Sequence, residues 1–292
     1  MTAPRLSWAR KCGERKAREH GFHSFPIDPF AIAAKEEILV CPKAPDQPGA
    51  SGGIIFGDEV GIFYSTTIDS IGFQRFTVAH ELGHYFLDGH PEEILKTAPG
   101  HISRAGFTDG SAIELEADHF ASGLLLPTTL VEKQLDREKI GLQGIEALAE
   151  LSKCSLTASA IRAAECGSYP MAIIVSRGDR ARYAFLSDGF KQLGRLTYIR
   201  KDTPLPQSLT RRFNSEPANV TAGKRACAST TLYDWFEGDR RIELDEEVIG
   251  LGAYGFTLTV LSSEDLPAEP SEEEDEDQSL IESYTPRFAY GR

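Results

Sequence analysis

Apolar and polar positions recur along this chain with two periods, and the switch between them divides it. Residues 6 to 20 set apolar residues among charges at helical spacing, which predicts a polar amphipathic helix. Asp28 followed by Pro29 supplies an N-cap and a first helical position for PFAIAAKEEI. Pro42, Pro45, Pro48 and Gly49 then impose a loop. GGIIFG and VGIFYSTTI, separated by Asp58 and Glu59, read as a hairpin of two strands. From Phe76 a helix is expected through HELGHYFL, stopped by Asp88, Gly89 and Pro91. Thr97 to Ser111, rich in Gly, Ser and Thr, reads as a loop, and AIELEADHFASGLLL as a second helix closed by Pro127.

Residues 128 to 166 keep the helical pattern, broken near Lys153, with Ser155 as the following N-cap. Beyond Tyr169 the period shortens. MAIIVS and ARYAFLS, joined at Arg177 to Arg180, and later YGFTLTVLS predict strands. The pattern therefore predicts an α+β chain with four segments: a domain over 1–127, a small helical module over 128–167, a β-rich domain over 168–263 and a tail over 264–292.

Composition refines this picture at three points. The chain has 292 residues, 41% hydrophobic and 26% charged, enough for about two ordinary globular domains. Of the net charge of −13, the tail from Glu264 to Arg292 carries −8, so acidity is mostly a property of a low-complexity, self-repelling segment expected to be disordered. No apolar run approaches the ~18 residues of a membrane helix, and MTAPRLSWARKCGERKAREH lacks the apolar core of a secretory signal. A cytoplasmic protein with no membrane partner is expected. Five scattered cysteines without a CxxC pair point to reduced thiols, not to a disulfide framework or a thiolate metal site.

The candidate chemistry lies in the helix expected from Phe76. His80, Glu81 and His84 form HExxH, and on a helix two histidines four positions apart stand only about 40° from one another, close enough to bind one ion. Glu81 lies on the adjoining flank, where a carboxylate can take a proton from water on the ion; it is the candidate general base. A catalytic zinc usually takes three protein ligands. Glu114 and Asp118, at i and i+4 on the second helix beside Ala117 and Ala121, suit the remaining roles: Glu114 as third ligand, Asp118 as hydrogen-bond partner of His80. Glu116, about 200° round from Glu114, is expected to point to solvent. His90 has the spacing of the third histidine in HExxHxxGxxH, but Leu87 stands where that motif needs glycine, which makes His90 a weak ligand candidate. IFYSTT is either a sheet edge to which an extended peptide adds, or a core strand. Tyr64, Tyr85, His101 or a group from the later domain would serve a developing oxyanion. Two imidazoles and a carboxylate suit one zinc ion and also accept manganese, cobalt or iron.

RFTVAHELGHYFLDGH followed by EADHFASGLLLP resembles the ImmA/IrrE family of HExxH metallopeptidases, of the gluzincin group, over roughly residues 25 to 165. The resemblance implies a zincin-like fold, zinc on His80, His84 and Glu114, and catalytic Glu81. It also implies a cytoplasmic regulatory protease that cleaves a helix-turn-helix repressor and derepresses stress-response or mobile-element genes. ALAELSKCSLTASAIRAAE is similar to the family's helical module, of helix-turn-helix character, and the segment from about Tyr169 to Ser262 is similar in position to a GAF-like sensor domain. Between Leu142 and Glu165, Lys153 and Arg162 face Glu146, Glu150 and Glu165, too little positive charge for phosphate contact. The eight bases between Lys191 and Arg225, against Asp202 and Glu216, form a basic stretch that the acidic tail could meet in cis. The expected function is a zinc endopeptidase. The alternative is a ligand-sensing or DNA-associated regulator with a structural metal site; direct nucleic-acid binding and oligomeric state are left open.

Overall fold

The computed structural model describes residues 3–43, 51–103 and 111–263. These divide into two compact units. The first comprises residues up to Val131 with Leu148–Ser159, and the second Glu132–Ala147 with the chain from Ala160 onward. The helical segment expected at 128–167 is thus shared between them, and the acidic tail lies outside the described residues.

In the first unit, α1 (Leu6–Glu19) and α2 (Pro29–Lys35) precede β1 (Leu39–Lys43). Asp28 caps α2 by accepting from Phe30 N at 3.0 Å, and Pro29 occupies its first turn. β2 (Gly52–Phe56) and β3 (Val60–Ser65) form the expected antiparallel hairpin. α3 (Ile71–Phe86) carries HExxH and starts five residues earlier than the apolar pattern predicts, because Ser70 caps it with a bond from Phe73 N. After Gly89, in the left-handed conformation at φ 93°, comes α4 (His90–Leu95). The region read as a loop contains β4 (Gly100–Ser103), a strand too short to show a period. α5 (Ala112–Leu125) completes the frame and is followed by α6 (Thr128–Leu135).

The sheet order is β1-β3-β2-β4, with β1 and β3 parallel and the other pairs antiparallel. IFYSTT is therefore an interior strand, and the reading that makes it an edge is corrected. Its Ile62 is buried and its neighbours pair on both sides. The ends are β1, whose Pro42 an edge strand tolerates, and β4. α3 lies between this sheet and α5. At its crossing with α5 a Cβ on Gly83 would stand 3.1 Å from Ala117 Cα, so a residue without a side chain lets the two helices approach closely. Phe76, Val78, Leu82, Phe120 and Leu124 fill the core around them.

α7 (Leu142–Ser152) and α8 (Leu156–Cys166) meet at the predicted break, where Lys153 has φ 58° and Ser155 accepts from Ala158 N. In the second unit, β5 (Met171–Arg177) and β6 (Arg180–Leu186) form the predicted hairpin. There follow α9 (Asp188–Lys191), α10 (Leu209–Asn214), α11 (Pro217–Thr221), β7 (Arg225–Thr231), α12 (Leu232–Phe236), β8 (Glu243–Gly250) and β9 (Thr257–Ser262). The five strands pair antiparallel in the order β6-β5-β9-β8-β7. MAIIVS and TLTVLS are buried without alternation because β5 and β9 are interior strands covered on both faces. The basic stretch is spread over α9 to β7, with Lys191 on Asp188 at 2.7 Å and Arg225 on Glu146 at 2.6 Å. No helix among the described residues is long and apolar enough to cross a membrane.

Candidate metal centre

α3 and α5 bring three sequence-predicted groups to one point. His80 and His84 lie one turn apart on α3 with their Nε2 atoms 3.1 Å from each other. Glu114, in the first turn of α5, places its Oε2 3.5 Å from His80 Nε2 and its Oε1 3.2 Å from His84 Nε2. Their ligand atoms all lie within 4.8 Å of one another, and all three residues are buried. Asp118, one turn further along α5, meets His80 Nδ1 at 2.8 Å. This leaves the Nε2 lone pair of His80 aimed at the cluster.

Burial and mutual contact set the electrostatics of these groups. Burial pushes the His84 ring down to about 3, so the ring stands neutral with a lone pair to donate. Burial opposes a charge on Glu114 too, but the histidines His101, His80 and His84 around it outweigh that effect and hold it well below the usual carboxylate range. Burial raises the Glu81 carboxyl to about 7, against the lowering effects of His80 and Ser103. Glu81 is wholly buried; its Oε1 accepts from the Ser103 hydroxyl at 2.6 Å, while its Oε2 has no hydrogen-bond partner among the described residues.

A cation fits here on this structure's own terms. Glu114 Oε1, Glu81 Oε2 and His101 Nε2 are buried polar atoms without an aligned hydrogen bond, and such atoms are costly unless something else satisfies them. Two imidazole nitrogens and a carboxylate suit a borderline metal such as zinc.

Three features go beyond the sequence reading, in which His101 figures only as an oxyanion candidate. Ser103 and His101 stand on β4, in the stretch read as loop; His101 Nε2 is 2.8 Å from Glu114 Oε1, and its ring is 4.7 Å from that of His84. Alternation across Gly100–Ser103 puts His101 and Ser103 on one face, as their cross-strand partners Ile54 and Gly52 require only in the folded sheet. The third is Glu116, expected in solvent. It is 4% exposed, because α5 is covered on both flanks, by α3 on one and α1 on the other. Glu116 meets Arg5 at 2.8 Å and His90 Nε2 at 3.2 Å. His90 is not among the converging ligands; its Nδ1 is 3.2 Å from His84 Nδ1. Tyr64 and Tyr85 pack edge-on against Phe30 and Phe86.

Comparison with known proteins meets this geometry at its centre. Residues 60–163, which hold both helices, match the Peptidase M78 family model, described as an IrrE N-terminal-like domain. The chain contains an IrrE N-terminal-like domain. That domain is the one that brings His80, His84 and Glu114 together, so the resemblance in sequence and the convergence in space fall on the same residues. No curated protein matches the chain. Among solved structures, a Mycobacterium tuberculosis transcriptional regulator is similar at 13% identity with a TM-score of 0.57, covering 87% of this chain and 76% of that one. At that identity the likeness is one of fold.

Proposed function

We propose that this chain is a cytoplasmic zinc-dependent endopeptidase of the ImmA/IrrE type. Its substrate is a helix-turn-helix transcriptional repressor, and cutting it derepresses stress-response or mobile-element genes. The observation that carries the reading is the meeting of His80, His84 and Glu114 beside a buried Glu81 with one oxygen unpartnered among the described residues. The match to a peptidase family supports the reaction class, and the similar fold of a transcriptional regulator agrees with a regulatory setting.

A divalent cation held by His80, His84 and Glu114 supplies Lewis acidity for water and for a scissile carbonyl. Everything else falls to the chain's own side chains. Ser103 fixes Glu81 through Oε1, which turns Oε2 into the free acceptor. A carboxyl near 7 is matched to taking a proton at neutral pH and returning it to the leaving amine. Asp118 holds His80 in one tautomer. Of the candidates for the oxyanion, His101 has its Nε2 at the cluster. β4 ends the sheet among the described strands, so an extended substrate adds there and not to β3. In this reading the helices from Leu142 to Glu165 grip the substrate and not DNA, and the C-terminal unit is a GAF-like sensor.

The test is Glu81→Gln in the full chain, incubated with the helix-turn-helix regulator encoded beside its gene. Turnover should fall ~10²–10⁴-fold while elemental analysis still finds one metal per chain. Cleavage at the parent rate would overturn the general-base role; metal-loaded parent protein that leaves the regulator uncut would favour the second reading, a regulator with a structural metal, which the similar fold of a transcriptional regulator also permits.

A further inference from the structure

His80 has a carboxylate directly behind it; His84 does not. Behind His84 Nδ1, at 3.2 Å, stands His90 Nδ1; His90 Nε2 is 3.2 Å from Glu116 Oε2. Glu116 in turn accepts from Arg5 three times, from its backbone N at 2.8 Å, its Nε at 3.2 Å and its Nη2 at 2.8 Å. His84, His90 and Glu116 are sealed from solvent, at 0%, 1% and 4% exposure.

With both imidazoles neutral, one set of donors and acceptors is consistent along this line. Arginine can only donate, so the Glu116 carboxylate accepts from it and also from His90 Nε2–H. His90 then presents its Nδ1 lone pair, to which His84 Nδ1–H donates. His84 is left with its lone pair on Nε2, the atom that faces His80 and Glu114. A fixed tautomer and ring orientation is what a metal-binding imidazole needs from its far nitrogen.

The line ends on a different element. Arg5 is the N-cap residue of α1, and its Nη2 also donates to Asp88 O. α1 is seated by backbone contact: a Cβ on Gly13 would lie 2.2 Å from Phe120 O, so α1 and α5 touch main chain to main chain. We propose that Arg5, Glu116 and His90 are positioning residues that orient His84, so that docking of the N-terminal helix completes the metal centre. The proposal rests on His80, His84 and Glu114 being the ligands.

The experiment measures zinc affinity of the full-length protein by competition with a chromophoric chelator. His90→Ala should bind zinc ~10–100-fold more weakly, the range for loss of a group that orients a ligand. Glu116→Gln and Arg5→Ala should shift affinity in the same direction by less. The double variant His90→Ala/Glu116→Gln should bind no more weakly than His90→Ala alone, because the carboxylate acts only through the histidine. Glu36→Gln breaks another His–Glu pair of the same unit, His20 to Glu36 at 2.8 Å, and should leave zinc affinity unchanged, which separates orientation from general loosening. Parent-like affinity of His90→Ala, multiplying losses in the double variant, or an equal loss in Glu36→Gln would each overturn the proposal. A parent protein that binds no zinc would instead overturn the ligand assignment beneath it.

Discussion

Glu246 in the C-terminal unit and Glu81 in the N-terminal unit are both sealed from water, at 1% and 0% exposure, yet their surroundings differ in kind. Glu246 accepts from Thr210 N and Thr210 Oγ1, both at 2.7 Å, and from Leu209 N at 3.3 Å; it caps the start of α10 with both oxygens engaged. Nearby Asn214 is equally engaged, donating to Ser176 Oγ and Gly178 O and accepting from Thr257. Glu81 has one oxygen on Ser103 and the other without a hydrogen-bond partner among the described residues. Burying a carboxylate with its partners builds a fold, whereas burying one with an oxygen left over sacrifices stability to hold a group ready for chemistry.

This contrast can be broken by experiment. The largest effect belongs to Glu81→Gln: turnover falls ~10²–10⁴-fold, yet the melting temperature holds or rises, because the substitution removes a buried charge that is only half satisfied. A clear drop in melting temperature would place Glu81 with Glu246 as a structural group. Next comes Glu246→Gln. The amide cannot accept at both ends, so Leu209 N or the Thr210 pair loses its acceptor, at a cost of about 1–3 kcal/mol by denaturant titration, with zinc affinity unchanged. Loss of zinc in that variant would mean that the C-terminal network supports the metal centre.

The smallest effect concerns Glu247, half-buried on β8, which accepts from Leu142 N at 2.7 Å. Burial raises its carboxyl above the usual 4.5, against that hydrogen bond, and Asp245 and Glu146 raise it further. The folded state therefore binds this proton more tightly than the unfolded chain. Its favourable contribution is full at low pH and is lost as pH rises from about 4.5 through the raised value. Glu247→Gln should flatten that part of the stability–pH curve and be at least as stable as the parent at pH 7. An unchanged slope in equilibrium unfolding across that window would show that Glu247 does not set it.

Much of the site was legible before any coordinates. His80, Glu81 and His84 are related by the helix repeat alone, and Glu114 and Asp118 by the same rule on α5, so their mutual placement is local geometry. Ala117 and Ala121 announced a close approach from the α5 side, and Gly83 against Ala117 supplies it. The β2–β3 and β5–β6 hairpins were equally plain, since each joins two β-rich runs across a short turn. The peripheral elements were harder. β7, RACASTT, has few large apolar residues, and β8, ELDEEVIG, buries a glutamate where the pattern reads as polar.

By itself the sequence determined what one turn of helix determines: a pair of imidazoles on one face, a carboxylate on the flank, and an acid pair ready on a second helix. Tertiary structure alone decided that β3 is interior and β4 the edge, that Ser103 fixes one oxygen of Glu81, and that Glu116 and His90 are buried between α1, α4 and α5. The physical reason is the same in each case. Helical angles are set by neighbours in the chain, but whether a flank meets water or another helix depends on residues about a hundred positions away, as Arg5 is from Glu116.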